Sequence, residues 1–385
     1  MLIIKNGTIL NVEKSKEEKM DIAIDNGKIF SIKKNIAPKK EDQVIDASGK
    51  IIAPGFIDAH SHLGLWGDSA GAENIDGNET SNPITPNLRA IDGIDPSDKV
   101  FQEAYEGGIT AVAAGPGSAN VLGGQFAAIK TYGNRIDNMI IKAPIAMKCA
   151  FGENPKRFYG SKNQAPTTRM GIAALLREML AKAKEYSDKI DNAKKKTEEM
   201  PPYDAKLHSL IPVIKREIPL KAHAHKANDI FTAIRIAKEF NLKITLEHGT
   251  DTISIVDELV KEKLPIIVGP SLGHRTKIEV KNKSYKTAGV LNKAGIKIAI
   301  TTDSPVVPLD HLPLCAALCV KDGLDKWEAL KAISLYPAEI LGLDKEIGSL
   351  SQGKDADIVI WSNNPLLVES FVEYTIINGE VVYKK

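Results

Sequence analysis

Short apolar runs that end in a histidine or an aspartate recur along this chain of 385 residues. In the first run, residues 54–62, a single residue separates His60 from His62. Side chains alternate between the faces of a β-strand, so these two imidazoles project in the same direction, with Asp58 below them. The pattern returns at His223, at His248 and at Asp303, each after its own apolar run. Imidazoles directed at one point are typical ligands of a divalent metal.

The middle of the chain alternates strand patterns with helix patterns, which predicts an α/β fold built on a parallel sheet. Eight candidate strands fit a (β/α)8 TIM barrel, in which the active site lies at the carboxyl ends of the strands. The candidate metal ligands occupy such strand ends. The candidate strands are residues 55–60, 109–114, 125–131, 143–150, 219–224, 243–248, 265–269 and 296–302.

Both ends of the chain are instead rich in short strands, with Asn-Gly hairpin turns that begin at Asn6, Asn26 and Asn378. We therefore predict a small β-sandwich domain formed by both termini, residues 1–52 and 345–385, beside a barrel of residues 53–344. A helical insertion of about residues 155–218 interrupts the barrel. Its charged sequence fits either a solvated helix pair or a lid or subunit contact, the latter in a homo-oligomer. The long connection 63–98 is of a length that is often functional.

Composition excludes several classes of function. The formal net charge is +2, which gives no reason to expect nucleic acid or a membrane surface as a partner. No apolar run approaches the roughly 18 residues of a membrane span, and the N-terminus lacks the plan of a signal peptide. Three cysteines without a paired framework fit the reducing cytoplasm. We therefore expect a cytoplasmic protein with a small-molecule substrate.

Three segments resemble the metal-dependent amidohydrolase superfamily, and in particular its imidazolonepropionase-related members. They are the opening run of residues 54–62, the Leu341-Gly342 pair with residues 347–350, and residues 353–359. The resemblance covers nearly the whole chain. It implies a barrel with a β-sandwich, one or two divalent ions and hydrolysis of an amide or similar bond. It also implies zinc as the default ion and a set of metal ligands, namely His60, His62, His223, His248 and Asp303.

The resemblance leaves two candidates for the ligand on the fourth strand. Lys148 lies in a run similar to that of isoaspartyl dipeptidases, whose lysine is carboxylated and bridges two ions. Glu153 lies at the end of the strand, as in the N-acetylglucosamine-6-phosphate deacetylases, and needs no modification. Only one of the two is expected to bridge the ions, and the alternative for Lys148 is a lysine inside the barrel that pairs with a carboxylate.

The resemblance also implies roles beyond metal binding. Asp303 is expected to serve both as a ligand and as the general base for a water activated by the metal. His225 is assigned to substrate or to the support of a ligand, because related families use the first histidine of such a pair as the ligand. The deaminase branch has a glutamate three residues after that histidine, where this chain has Lys226. That departure weighs against deamination.

Two loops that follow strands are candidate substrate contacts. The glycine-rich residues 115–125 fit either a backbone cradle for a carboxylate or phosphate, or a simple turn. His274 and Arg275 follow the seventh strand and would add positive charge near the mouth of the barrel.

We therefore predict a metal-dependent hydrolase that cleaves an amide, cyclic amide or peptide-like C–N bond with metal-activated water. One alternative is a mononuclear amidohydrolase that acts as a deaminase or N-deacetylase. A second is an inactive assembly protein with the amidohydrolase fold. The second alternative is disfavoured because such a chain would not keep the strand-end histidines and the aspartate.

Overall fold

The computed structural model describes residues 1–67, 73, 75–196 and 199–385, which form three β-sheets and ten α-helices. Residues 68–72, 74 and 197–198, which belong to the 63–98 connection and to the helical insertion, lie outside the described residues. The strands are β1 Leu2–Lys5, β2 Thr8–Asn11, β3 Lys16–Lys19, β4 Asp21–Asp25, β5 Lys28–Lys33, β6 Gln43–Asp46, β7 Ile51–Pro54, β8 Phe56–Ser61, β9 Ile109–Ala114, β10 Leu122–Lys130, β11 Ile140–Ala150, β12 Leu220–Ala224, β13 Ile244–His248, β14 Ile266–Val268, β15 Ile298–Ile300, β16 Ile358–Trp361, β17 Val372–Ile377 and β18 Glu380–Lys384. The helices are α1 Lys99–Glu106, α2 Glu153–Gly160, α3 Arg169–Lys196, α4 Ala205–Ile214, α5 Ala227–Glu239, α6 Val256–Glu262, α7 Lys286–Lys293, α8 Leu312–Lys321, α9 Lys326–Ala332 and α10 Leu335–Leu341.

Strands β8 to β15 lie side by side in chain order and form a nearly closed barrel. Side chains join its first and last strands. Asp58 on β8 accepts hydrogen bonds from the backbone N and the Oγ1 of Thr302, at 2.8 and 2.7 Å. Thr301 Oγ1 donates to the carbonyl of His60 at 2.6 Å. These bonds hold the segment that follows β15 against the strand that carries His60. The predicted α/β class with an eight-stranded barrel is confirmed.

The third barrel strand runs in the direction opposite to the prediction. Strand β10 pairs antiparallel with both β9 and β11, whereas the sequence analysis expected a parallel sheet throughout. The reason is the length of the connections, residues 115–121 and 131–139. A parallel crossover needs about a dozen residues or more, so the chain must return antiparallel at both points. As a result, the amino end of β10 lies on the side of the metal candidates.

The other predicted barrel strands agree with the structure to within a few residues. The largest difference in the second half is at β15, which ends at Ile300 rather than at residue 302. Asp303 therefore follows the strand after two threonines, in a segment fixed by the bonds to β8.

The two chain termini form the remaining sheets. Their strand orders are β5-β4-β1-β6 and β18-β17-β16-β7-β2-β3, and side chains of both sheets, such as Ile22 and Ile358, share one buried cluster. The turns Asn26-Gly27 and Asn378-Gly379 have positive φ at both positions, as the Asn-Gly signal predicts for two-residue hairpins. The predicted hairpin at Asn6-Gly7 is wrong, because β1 and β2 on either side of it belong to different sheets. Gly55 connects β7 to β8, so these sheets join the barrel at the amino end of β8.

Helices α3 and α4 belong to the predicted insertion and pack against each other. Leu176 and Leu180 of α3 and Leu210 and Val213 of α4 are fully buried. Asp204 caps α4, because its carboxylate accepts a hydrogen bond from the backbone N of Leu207 at 3.0 Å. Among the described residues, no helix is both long and apolar enough to cross a membrane.

Candidate metal centre

Six candidate ligands lie in two adjoining groups at the carboxyl ends of the parallel strands. Within each group, one ligand atom from each residue lies within 4.8 Å of the others. The ring centroids of His60 and His248, which belong to different groups, are 5.2 Å apart. The first group contains His60, His62 and Asp303, and the second contains His223, His225 and His248.

Backbone carbonyls orient two of these histidines. His62 Nδ1 lies 2.6 Å from the carbonyl oxygen of Gly115, and His248 Nδ1 lies 2.7 Å from that of Gly269. A carbonyl oxygen can only accept, so Nδ1 carries the proton and Nε2 of the neutral ring keeps its lone pair. Both imidazoles are thus held in the tautomer that binds a metal through Nε2.

The carboxylate of Asp303 faces the first group. Its Oδ1 lies 3.2 Å from His62 Nε2 and 3.4 Å from His60 Nε2. This oxygen is buried and has no well-aligned hydrogen bond with any described residue. Burial raises the pKa of Asp303, but the neighbouring histidines, chiefly His248, outweigh burial and hold the pKa well below its ordinary value. A carboxylate and an imidazole lone pair at this separation fit a divalent cation between them, with the nitrogen and oxygen donors that zinc accepts.

The carboxylate that supports His60 was not predicted from the sequence. Glu247 Oε2 lies 2.9 Å from His60 Nδ1 and 2.8 Å from Lys221 Nζ, and all three side chains are buried. Burial and the charge of Lys148 lower the pKa of His60 to about 3, so the ring is neutral. Burial raises the pKa of Glu247, but Lys221 and His60 together hold it below its ordinary value. One sequence signal could have identified this network. Each of the apolar runs of β12 and β13 contains a charged residue, Lys221 and Glu247 respectively.

The two candidates for the strand-four ligand occupy different places. The Nζ atom of Lys148 is buried and lies 3.2 Å from His60 Nε2. Glu153 begins helix α2 with a partly exposed side chain, and its backbone N donates to Glu279 Oε2 at 2.9 Å. The amine of Lys148 is therefore beside a candidate ligand.

A second carboxylate that the sequence analysis missed adjoins the other group. Glu279 Oε1 lies 3.8 Å from Nε2 of both His223 and His225. Burial lowers the pKa of both histidines well below the ordinary value, so both rings are neutral. Glu279 lies in a single 3-10 turn, Ile278–Val280, and nothing in its sequence spacing singled it out.

A cavity of about 710 Å³ opens over the two groups of ligands. His225, His274 and residues 117–119 of the glycine-rich loop, which are candidate substrate contacts, line it. Arg275 instead donates a hydrogen bond to the carbonyl of Lys283 at 3.2 Å. The cavity gives a small molecule access to the candidate ligands.

Comparison with known proteins agrees with this geometry. The model of the amidohydrolase family matches residues 51–382. A crystal structure of an amidohydrolase from Thermotoga maritima MSB8 has a TM-score of 0.97 and 41% sequence identity, with all of both chains covered.

Two curated relatives are more distant in sequence. Amidohydrolase tasK of Hapsidospora irregularis is 29% identical over 372 residues, which make up 90% of this chain but only 38% of tasK. The dihydroorotase of Elusimicrobium minutum is 26% identical over 451 aligned positions, covering 98% of this chain and 96% of the dihydroorotase.

Proposed function

This chain belongs to the amidohydrolase family, and on that premise we propose that it is a metal-dependent hydrolase that cleaves an amide, cyclic amide or peptide-like C–N bond. The observation that carries the proposal is the pair of adjoining ligand groups beneath an open cavity. The cavity is of a size typical for small-molecule sites.

The proposed centre would hold one or two divalent ions, with zinc as the expected metal. His60, His62 and Asp303 would hold one ion, and His223 and His248 would hold a second. A carboxylated Lys148 would add an anionic ligand from the fourth strand. The 3.2 Å separation of Lys148 Nζ from His60 Nε2 supports Lys148 over Glu153 as the ligand. Nitrogen and oxygen donors in this number suit zinc.

A bound divalent ion would supply Lewis acidity to the scissile carbonyl and to the attacking water. The carboxylate of Asp303 then accepts a proton from the water and passes it to the leaving nitrogen. His225 and His274 contact the substrate from the cavity wall. His225 is fixed by its Nδ1, which lies 2.7 Å from Thr250 Oγ1.

We further propose that residues 1–52 and 345–385 form a β-sandwich domain beside a barrel of residues 53–344 with a helical insertion at about 155–218. The cluster shared by the two terminal sheets supports the sandwich. A cytoplasmic location is supported by Cys149, Cys315 and Cys319, which are all free and buried. A homo-oligomer remains a proposal that sedimentation can test.

The test combines metal analysis with a substrate screen. Protein produced with added zinc should contain one to two equivalents of metal, and the double variant His60→Ala with His62→Ala should lose most of it. N-acyl amino acids, dipeptides, hydantoins and lactams form the screen. Full metal retention in the double variant would exclude this centre. If an aminated heterocycle is added to the screen, release of ammonia from it would instead identify a deaminase.

A further inference from the structure

The cavity over the candidate metal centre carries positive charge that the proposed reaction does not use. Arg157, Lys277 and Lys283 line it, whereas Asp303 is the one carboxylate among the described lining residues. Because the metal centre engages Asp303, the cavity wall retains an excess of positive charge. The excess positive charge therefore lies on the wall of the cavity in which a substrate would bind.

Lys277 does not contribute to the excess, because its charge is already matched. Its Nζ lies 2.6 Å from Glu279 Oε1 and donates to Asn154 Oδ1 at 2.8 Å. Glu279 is buried, so this pair is shielded from solvent. Lys277 is therefore committed to holding Glu279 beside the histidines.

Lys283 is different, because it is partly buried and forms no ion pair with any described residue. Its Nζ donates only to two backbone carbonyls, that of Leu272 at 3.1 Å and that of His274 at 3.4 Å. Burial lowers the pKa of Lys283, and the charge of Asp303 offsets only part of this effect. Charges removed from water are normally paired, so a partly buried ammonium that faces a cavity without a counter-ion is suited to an anionic ligand.

The rest of the wall indicates what else the ligand carries. Leu272, Phe158 and Val306 line the same cavity, and 61% of Val306 is exposed. Arg157 adds a second cation and forms no ion pair with a residue that the structure describes. A ligand that carries both an apolar group and an anionic group would pack the first against the apolar residues and pair the second with the cations.

We propose that the cavity recognises a substrate with a free carboxylate and an apolar side chain, that is, an N-acyl amino acid or a dipeptide, and that Lys283 pairs with the carboxylate. Arg157 lines the same cavity and is the second cation available to the carboxylate. The proposal rests on the proposed function, since it assumes that the scissile amide reaches the metal centre. Among the amides in the substrate screen, this proposal favours N-acyl amino acids and dipeptides over hydantoins and lactams.

The test compares N-acetyl-L-leucine with N-acetyl-L-leucinamide, which differ in the carboxylate alone. Calorimetry on the zinc-loaded protein measures the affinity for each compound and, if either is hydrolysed, its turnover. Wild type should prefer the acid by roughly 10- to 100-fold, the range expected for a hydrogen bond to a charged group. Lys283→Met should abolish most of this preference, and Lys283→Arg should retain part of it.

Lys281→Met is the matched control, because it removes an exposed lysine from the same loop and should leave the preference unchanged. Lys283 also holds the backbone at Leu272 and His274, but loss of that support would weaken both compounds equally and leave their ratio intact. The proposal is overturned if Lys283→Met keeps the wild-type ratio, or if wild type binds neither compound or both equally. Hydrolysis of a neutral amide in that case would leave the proposed function standing and remove only the carboxylate assignment.

Discussion

At the scale of single residues, two candidate ligands have a backbone conformation that residues other than glycine seldom adopt. His248 has a φ of 71° and Asp303 a φ of 53°. A left-handed conformation at a non-glycine residue costs on the order of 1–3 kcal/mol and persists only where the surroundings enforce it. Here the backbone N of Asp303 donates to Thr301 Oγ1 at 2.9 Å, and the backbone N of the preceding Thr302 donates to Asp58 on β8 at 2.8 Å. With this backbone conformation, both side chains line the cavity.

Asp303→Asn tests the proposed chemistry of that side chain. The amide keeps the size and one coordinating oxygen but removes the basicity, so metal content should fall only in part. Turnover of a substrate from the screen should fall further, by about 10²–10⁴-fold, as is typical for loss of a general base. Kinetics and elemental analysis must use the same sample. Asp310→Asn, which removes a carboxylate whose one ion-pair partner among the described residues is His311, is the control and should have wild-type turnover. Wild-type turnover in a metal-loaded Asp303→Asn protein would make His225 or His274 the next candidate.

Lys148 and Glu153 can be separated by metal content. The buried amine of Lys148 lies beside His60, and burial lowers its pKa to about 8, which favours the neutral amine that reacts with carbon dioxide. Zinc uptake by metal-free protein should therefore rise when bicarbonate is added. Lys148→Ala should bind less zinc and show no response to bicarbonate, whereas Glu153→Gln should behave as wild type. The opposite pattern, with loss of zinc only in Glu153→Gln, would transfer the assignment to Glu153.

At the scale of secondary structure elements, a buried charge network ties three strands to the centre. Glu247 on β13 contacts Lys221 on β12 and His60 on β8, and none of these residues is more than 1% exposed. The network thus fixes a candidate ligand through two strands that do not adjoin β8.

Glu247→Gln should weaken both stability and metal binding. Removing one partner of a buried ion pair leaves the other uncompensated, so we expect a loss of about 3–5 kcal/mol in the free energy of unfolding. Zinc affinity, measured by competition with a chelator, should fall roughly 10- to 100-fold, as is typical for groups that orient metal ligands. Glu262→Gln, which breaks a surface pair with Lys238, should change stability by at most about 1 kcal/mol. Equal effects of the two substitutions would show that Glu247 has no special role.

At the scale of the whole molecule, Lys130 links the barrel to the terminal sheets at the end remote from the metal candidates. It is the last residue of β10, and its Nζ lies 2.8 Å from Asp355 and 2.5 Å from Asp357, just before β16. Lys130 and Asp357 are nearly fully buried. Burial raises the pKa of Asp357, and Lys130 offsets part of this effect, so the carboxylate depends on Lys130 for its charge.

Lys130→Met should therefore destabilise the protein without changing its metal site. We expect a loss of about 3–5 kcal/mol in the free energy of unfolding, because Asp357 remains buried and unpaired. Zinc content of the folded protein should equal that of wild type. Lys28→Met removes an exposed lysine that pairs with Asp355 alone and should cost at most about 1 kcal/mol. A loss of zinc in folded Lys130→Met protein would contradict the separation of the two ends of the barrel.

Much of the fold and of the candidate centre could be predicted because the determining patterns are local. Apolar runs predicted the barrel strands, and a histidine or aspartate near the end of a run predicted the residues that meet at one edge, since parallel strands bring their carboxyl ends together. Asn-Gly pairs predicted two hairpins for an equally local reason, the positive φ that such turns require.

Only the tertiary structure decided which strands run antiparallel and which charges meet. The direction of β10 depends on the lengths of its two connections. The predicted strand began at residue 125 rather than 122, so the first connection seemed longer than it is. Glu247 and Glu279 adjoin the histidines through contacts between residues far apart in the chain. Glu247 lies in the apolar run of β13, but the run alone does not show which residues its carboxylate meets. The proximity of Lys148 to His60 arises in the same way, because strand pairing and burial in the barrel interior bring the two side chains together.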